Sequence, residues 1–365
     1  MKTKIKLTAI LMLLSMLAFA ACGGGGSDNG GTPPDVYTYT IDSIGVVGDD
    51  TSLALDNSGY IHISYYDKTN GNLKYATNKS GSWITQNVDS PDDVGTHTSI
   101  AIDSGGYIHI SYCYKTETDV DLKYATNKSG SWNITPLHTT GVAGVYTSIA
   151  IDQDDYVHIN YFDDTNNRLL YFTNVSGNFI SPEVADDSGC YLYISNALDS
   201  DDHVHISYWS GLADSFLKYT TNKSGTWESE TVDDSTGAVG THTSIALDSD
   251  DNVHISYHDG MPNYMVKYAT NKSGSWVYES LDAGSYVGSF TSIAVDSSGY
   301  VHISYLSAGY DLKYATNNSG AWVYKTIDST GDVGWDSSIA VDAGGHVHIS
   351  YYDLTNGDLK YAYIP

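Results

Sequence analysis

From Val36 to the C-terminus, apolar and polar residues alternate in runs of four to seven, separated by clusters of Asp, Asn, Ser and Gly. A two-residue period places alternate side chains on opposite faces of an extended strand. An amphipathic helix would need apolar positions three and four apart. One stretch serves as a template. Thr291-Ser-Ile-Ala-Val-Asp296 predicts a first strand, and Ser297-Ser298-Gly299 a turn. Tyr300 to Tyr305 predicts the second strand, Asp311 to Thr316 the third, and Ala321 to Ile327 a fourth after the Asn317-Asn-Ser-Gly320 turn. Four short strands joined by such turns form an antiparallel meander.

The meander recurs. The string His-Ile-Ser-Tyr, nearly unchanged, marks seven copies by His62, His109, His158, His205, His254, His302 and His348, at intervals of 46 to 49 residues. Four-stranded meanders repeated at this period are the blades of a β-propeller. The last copy stops after its third strand, at Tyr363. Val36-Tyr-Thr-Tyr-Thr-Ile-Asp42 at the other end matches the fourth-strand segment Trp322 to Asp328. The expectation is an all-β fold: a seven-bladed propeller of four-stranded antiparallel blades spanning 36–365. Residues 36–43 supply the outer strand of blade 7 and close the ring, leaving no open edge.

A residue present in nearly every unit is explained more economically by blade architecture than by seven active sites. The seven histidines alternate with apolar residues on a strand buried on both faces, so each needs a partner, and the repeated Ser and Asp are the candidates. Lys74, Lys123, Lys218, Lys267, Lys313 and Lys360 on third strands are expected to snorkel or to pair with an architectural Asp. Asp56, Asp103, Asp152, Asp248, Asp296 and Asp342 are expected to accept backbone N–H bonds in the turns. Trp83, Trp132, Trp227, Trp276 and Trp322 are expected to cover the outer rim. The His/Ser/Asp set resembles the hydrogen-bonded set of WD40 propellers at different spacing. Thr77-Asn-Lys-Ser-Gly-Ser-Trp83 resembles a degenerate Asp-box, with Asn78 in place of the Asp. The resemblance is to the sialidase-like and lectin-like propellers, covers 36–365, and implies the fold without a specific activity.

The N-terminus changes the address. Lys2, Lys4 and Lys6 precede the apolar run Leu7 to Ala21, which has the make-up of an export signal. Leu17-Ala18-Phe19-Ala20-Ala21-Cys22 resembles the lipobox of bacterial lipoproteins, with Phe19 where Leu is usual. It implies cleavage after 1–21 and lipidation of Cys22. Residues 22–35, rich in Gly, Ser and Pro, form a tether. The expected location is the cell envelope, at the outer membrane or cell surface, with membrane contact through the lipid alone. Cys113 and Cys190 occupy non-equivalent positions and define no disulfide framework. The formal net charge is −27. Without the signal's three lysines, 14 cations face 44 acids, a net −30. Such a surface excludes nucleic acid as a partner. No cofactor is predicted; the acidic loops could attract Ca²⁺ diffusely, but no motif defines a site for it.

Candidate chemistry sits where the copies differ. Before the first-strand Thr-Ser pair, the units carry Asp50, His97, Tyr146, Tyr193, His242, Phe290 and Asp336, with Trp335 beside the last. If the first strands line the channel, these residues ring its mouth. A second variable set, Tyr66, Cys113, Phe162, Trp209, His258, Leu306 and Tyr352, is expected on loops opening to the same face. Aromatic platforms interspersed with hydrogen-bonding groups suit sugars. The leading expectation is a monomeric, non-catalytic binding module for an extracellular glycan or another surface ligand. A protein-interaction scaffold on the envelope is the alternative. A polysaccharide lyase or hydrolase is the second, with His97, Tyr146, Tyr193 and His242 as possible acid and base groups. A sialidase-type hydrolase would need three arginines, and Arg168 is the only one. Glu is scarce too, at 117, 183, 228, 230 and 279, so paired-carboxylate glycosidase chemistry would fall to Asp.

Overall fold

The computed structural model describes residues 35–90, 92–187, 189, 191–211, 215–284 and 287–365. The expected signal peptide, Cys22, the tether up to residue 34 and Cys190 lie outside the described residues. Every regular element described is a strand. There are 28, in seven four-stranded antiparallel sheets. Blades 1 to 6 cover 47–89, 93–138, 143–186, 192–233, 239–283 and 292–328; blade 7 joins 333–364 to Tyr37–Asp42. In that blade Tyr37 pairs with Tyr363 and Thr40 with Lys360, so the N-terminal strand closes the ring as the sequence predicts.

Each second strand is buried along its whole length or nearly so, as in Ile61–Asp67 and Val253–Asp259. Blades pack face to face, and seven apolar clusters fill the gaps between neighbours. One cluster joins Leu73, Tyr75 and Val88 of blade 1 to Ile100, Ile110 and Tyr112 of blade 2. Each fully buried Val, Leu or Ile of this kind contributes about 1.5–3 kcal/mol. The core is therefore a ring of seven seams around a polar axis.

The inner strands have a sheet partner on one side only, and unpaired N–H groups at a sheet edge are a liability. A serine from the preceding blade satisfies one in every blade. The N–H of Leu53 donates to Ser338 Oγ at 3.0 Å, and Ile100 and Ile149 repeat the bond to Ser52 and Ser99. Asn196, Ile245, Ile293 and Ile339 complete the circuit on Ser148, Ser195, Ser244 and Ser292.

The repeated histidines are architectural, with one change of partner. His62 Nδ1 pairs with the third-strand Tyr75 hydroxyl at 2.5 Å, and its Nε2 lies 3.4 Å from Asp56. His158 repeats this with Tyr171 at 2.7 Å and Asp152 at 3.0 Å. The expected serine partner is replaced by tyrosine, because serines such as Ser64 turn to the next blade, where Thr98 donates to it at 3.0 Å. Asp56 also accepts the N–H groups of Ser58 and Tyr60, holding the turn. Asn78 caps the second strand by accepting the Ile61 N–H at 2.9 Å. The outer-strand indoles lie on the tyrosine of the preceding blade: Trp132 meets Tyr75 at 5.5 Å between centroids, edge to face.

Five of the six third-strand lysines singled out from the sequence staple blades together. Lys123 donates to Asp89 at 3.0 Å, and Tyr112 donates to the same carboxylate at 2.7 Å. Lys74 pairs likewise with Asp42, Lys267 with Asp233, Lys313 with Asp282 and Lys360 with Asp328. Each Asp ends the outer strand of the preceding blade, a pairing about 30 residues distant that no local pattern carries.

Candidate functional site

Inner strands begin with Val-Gly in most blades. A Cβ on Gly48 would come within 2.7 Å of the Leu359 backbone in the adjacent blade, so only glycine lets the two backbones meet there. Two residues on, the strand bulges. Pairing with the second strand shifts register between Val47 and Asp49 and again between Asp49 and Ser52. At that bulge stands Asp50, in the left-handed region. His97, Tyr146, Tyr193, His242, Phe290 and Asp336 occupy the same conformation, with φ between 48° and 55° in all seven. Left-handed backbone costs a non-glycine residue roughly 1–2 kcal/mol. Bulges re-aim side chains, and here they send seven variable residues to one place.

These seven form a continuous collar. Between ring centroids, His97 is 4.5 Å from Tyr146, Tyr146 5.0 Å from Tyr193, Tyr193 4.2 Å from His242, and His242 4.5 Å from Phe290. On the far side the Asp50 N–H donates to an Asp336 carboxylate oxygen at 3.2 Å, and His97 Nδ1 lies 3.7 Å from Asp50. All seven are half-buried. The collar surrounds a cavity of about 220 Å³ lined from six blades: Asp50, Tyr193, His242, Phe290 and Asp336 at the rim, then a layer of hydroxyls. In that layer Thr51, Thr98 and Thr243 donate to Ser350, Ser64 and Ser207 of the preceding blades.

The collar has two chemically distinct halves. Burial pushes the His242 imidazole down to about 3, with the nearby His258 adding to the effect, so it is neutral at ordinary pH. Burial likewise lowers His258 to about 4 and raises the Tyr193 phenol. This half offers uncharged rings with hydrogen-bonding edges. Opposite, burial raises the Asp50 carboxyl above the usual range. Asp336 is raised further, because the charge of Asp50 adds to its own burial. Asp49 stands beside the pair, 3.6 Å from the exposed Lys68 ammonium.

The first sequence-predicted set is thus brought together. Trp335 joins it, 5.2 Å from Phe290. The second set is not where it was expected. Tyr66, Cys113, Phe162, Trp209, His258, Leu306 and Tyr352 are all buried at second-strand ends, not displayed on loops. Trp209, 6% exposed, lies 6.2 Å from Tyr193; His258, 8% exposed, lies 6.0 Å from His242 and pairs with Thr241 Oγ1 at 2.9 Å. They support the collar from behind. The strand continues one or two residues past the repeated Tyr, pairing Trp209 with Leu192 and Leu217, which seats this layer beneath the inner strand.

Two features escaped the sequence pattern. The hydroxyl layer repeats almost unchanged, and so reads as architecture. Tyr310, at a loop position that only Tyr264 of blade 5 matches with another aromatic, stacks on Trp335 at 6.1 Å with planes 14° apart. Cys113 is a free, buried thiol that donates to the Gly144 carbonyl. Among the described residues, no group of three or more His, Cys, Asp or Glu is placed to hold a metal ion.

No protein-family model matches the chain, and no curated protein matches it. Solved structures share the fold. AofleA from Arthrobotrys oligospora superposes with a TM-score of 0.54 at 16% identity over 83% of this chain and 92% of its own. A point mutant of the Aleuria aurantia lectin AAL, in complex with Fucα1-6GlcNAc, gives 0.55 at 12% identity over 79% and 98%. The polysaccharide lyase Uly1 gives 0.57 at 10% over 90% and 91%. At these identities the likeness extends to the propeller architecture.

Proposed function

We propose that this protein is a non-catalytic carbohydrate-binding propeller, exported and anchored at Cys22, which takes its ligand at the collar. One observation carries the reading. Seven copies of a strained backbone conformation present seven side chains, of four chemical types, in one collar, and five of them line its cavity. Strain of this kind persists where surrounding structure enforces it, and it clusters at functional sites. Aromatic edges on one side and oxygen acceptors on the other match the apolar faces and hydroxyls of a sugar. The like-folded proteins include a lectin seen with a fucosyl disaccharide and polysaccharide lyases, so carbohydrate handling accords with the fold.

Binding is favoured over lyase chemistry on electrostatic grounds. His97, Tyr146, Tyr193 and His242 form a contiguous arc that could supply acid and base groups. A lyase acting on uronate must also neutralise a carboxylate, yet no Lys or Arg lines the cavity, and Asp50 and Asp336 face it. The test is a glycan-array screen of the protein with calcium and with EDTA, repeated on the Tyr193→Asn and Phe290→Asn variants. Asn is chosen because it tolerates left-handed backbone. Specific binding lost in both variants supports the reading. A blank from folded protein sinks it and leaves the envelope-scaffold alternative. Dependence on calcium would reassign the acidic loops.

A further inference from the structure

We infer that the collar is a terminal-residue site: it takes the last, uncharged monosaccharide of a glycan end-on along the propeller axis. This rests on the carbohydrate reading above and adds the geometry and charge of the ligand.

The geometry comes from where the walls originate. The lining residues belong to blades 1, 2, 4, 5, 6 and 7, so the cavity is an open depression at the centre of the ring and its approach is axial. A polysaccharide running across the face would have to bring an internal residue, with both its flanking bonds, inside the ring of collar side chains. A chain end meets no such obstacle. Size points the same way. At about 220 Å³ the cavity lies below the ~300–1,000 Å³ typical of pockets that enclose drug-sized ligands. It has room for one sugar ring, with the rest of the chain above the rim.

The chemistry sets the charge. On one side Asp50 and Asp336 present carboxyl oxygens joined through the Asp50 N–H. Below, Thr51, Thr98 and Thr243 donate to serines, so towards an incoming hydroxyl their oxygens act as acceptors. Such a lining wants hydroxyl donors. A sugar carboxylate or sulfate would meet acidic oxygens with no cation among the lining residues, inside a protein of net charge −27. The uncharged rings of Tyr193, His242 and Phe290 complete the site with edges suited to C–H faces.

The experiment is calorimetric titration of the whole protein with free glucose, galactose, mannose, fucose, rhamnose and xylose. Glucuronate, galacturonate and sialic acid are the charged probes. Linear oligosaccharides ending in each neutral sugar are then tested before and after exoglycosidase removal of that residue. One neutral monosaccharide should bind within about tenfold of its best oligosaccharide, and removing the terminal residue should cost more than about tenfold. Charged sugars should bind at least about tenfold more weakly than the neutral one. Oligosaccharides that bind while no monosaccharide does, unaffected by end trimming, would overturn the terminal site and leave the glycan reading standing. A uronate binding as tightly as a neutral sugar would overturn the charge rule. A protein that stays folded and binds no sugar in any arm would overturn this inference and the function together.

Discussion

Between the blades, the same side chains meet again and again. Around the channel mouth, the backbone repeats while the side chains do not. The two regions also tolerate change differently. In the seam between blades 2 and 3, His138 stands where other seams have the stapling Asp, and it pairs with Tyr161 at 3.0 Å. Leu170 has at the same time replaced the lysine. In the inner ring, Asn160 and Asn196 bond at 2.9 Å where Ser and Ile stand elsewhere, and Ile194 replaces the neighbouring Thr. Buried partners change together because one alone would leave an unpaired polar group. Collar residues touch their neighbours yet vary singly, since the half-buried positions leave polar edges to solvent or ligand. Concerted change marks the scaffold, and independent change marks the site.

The comparison is tested most severely at a staple. Asp89→Ala leaves the Lys123 ammonium in a buried seam and should cost about 3–5 kcal/mol in denaturant unfolding. The double change Asp89→His with Lys123→Leu copies the blade 2–3 seam and should recover most of that loss. If it recovers none, the concerted replacement there has another origin. His109→Leu strips partners from Tyr124 and Asp103 and should cost about 2 kcal/mol, with sugar binding by the folded fraction unchanged.

Acid should separate the regions next. Burial lowers the imidazoles of His62, His109, His205, His254, His302 and His348 below the ordinary 6.5. The unfolded chain then binds protons that the folded chain refuses, so stability should fall as pH drops below about 6.5. A second loss should follow below about 3.8. Asp56, Asp103 and Asp248, despite burial, are held low by their lysine, imidazole and N–H partners. A Tm that is flat from pH 7 to 5 would contradict neutral buried histidines.

On the acidic side of the collar the sign reverses and the effect shrinks. Burial and the Asp50 charge raise Asp336, so its ionisation opposes folding as pH rises above the ordinary carboxylate range. Asp336→Asn should raise Tm at pH 7 on the order of 2 °C, and the gain should vanish at pH 3. Tyr146→Asn should change stability by less than about 1 kcal/mol, because relief of left-handed strain offsets the lost ring contacts.

Much of this was legible beforehand. Seven copies spaced near 48 residues apart and the orphan strand Val36–Asp42 specify the blade count and the closure. The variable position before the first-strand Thr-Ser pair marks the collar because the residues that follow it stay nearly constant. Other features were not legible. Nothing in the local pattern distinguishes Trp209, behind the collar, from a loop residue beside it. The histidine's true partner, Tyr75 rather than Ser64, depends on which blade each face of the strand meets.

Alternation along the chain therefore determined strands, faces and the number of blades, because those follow from the two-residue period and the turn residues alone. Depth and pairing were decided when the ring closed. Only then did Asp89 come against Lys123, and Asp50 against Asp336, 286 residues away along the chain. Such contacts depend on how adjacent blades seat against each other, and the period of a strand carries no record of its neighbour.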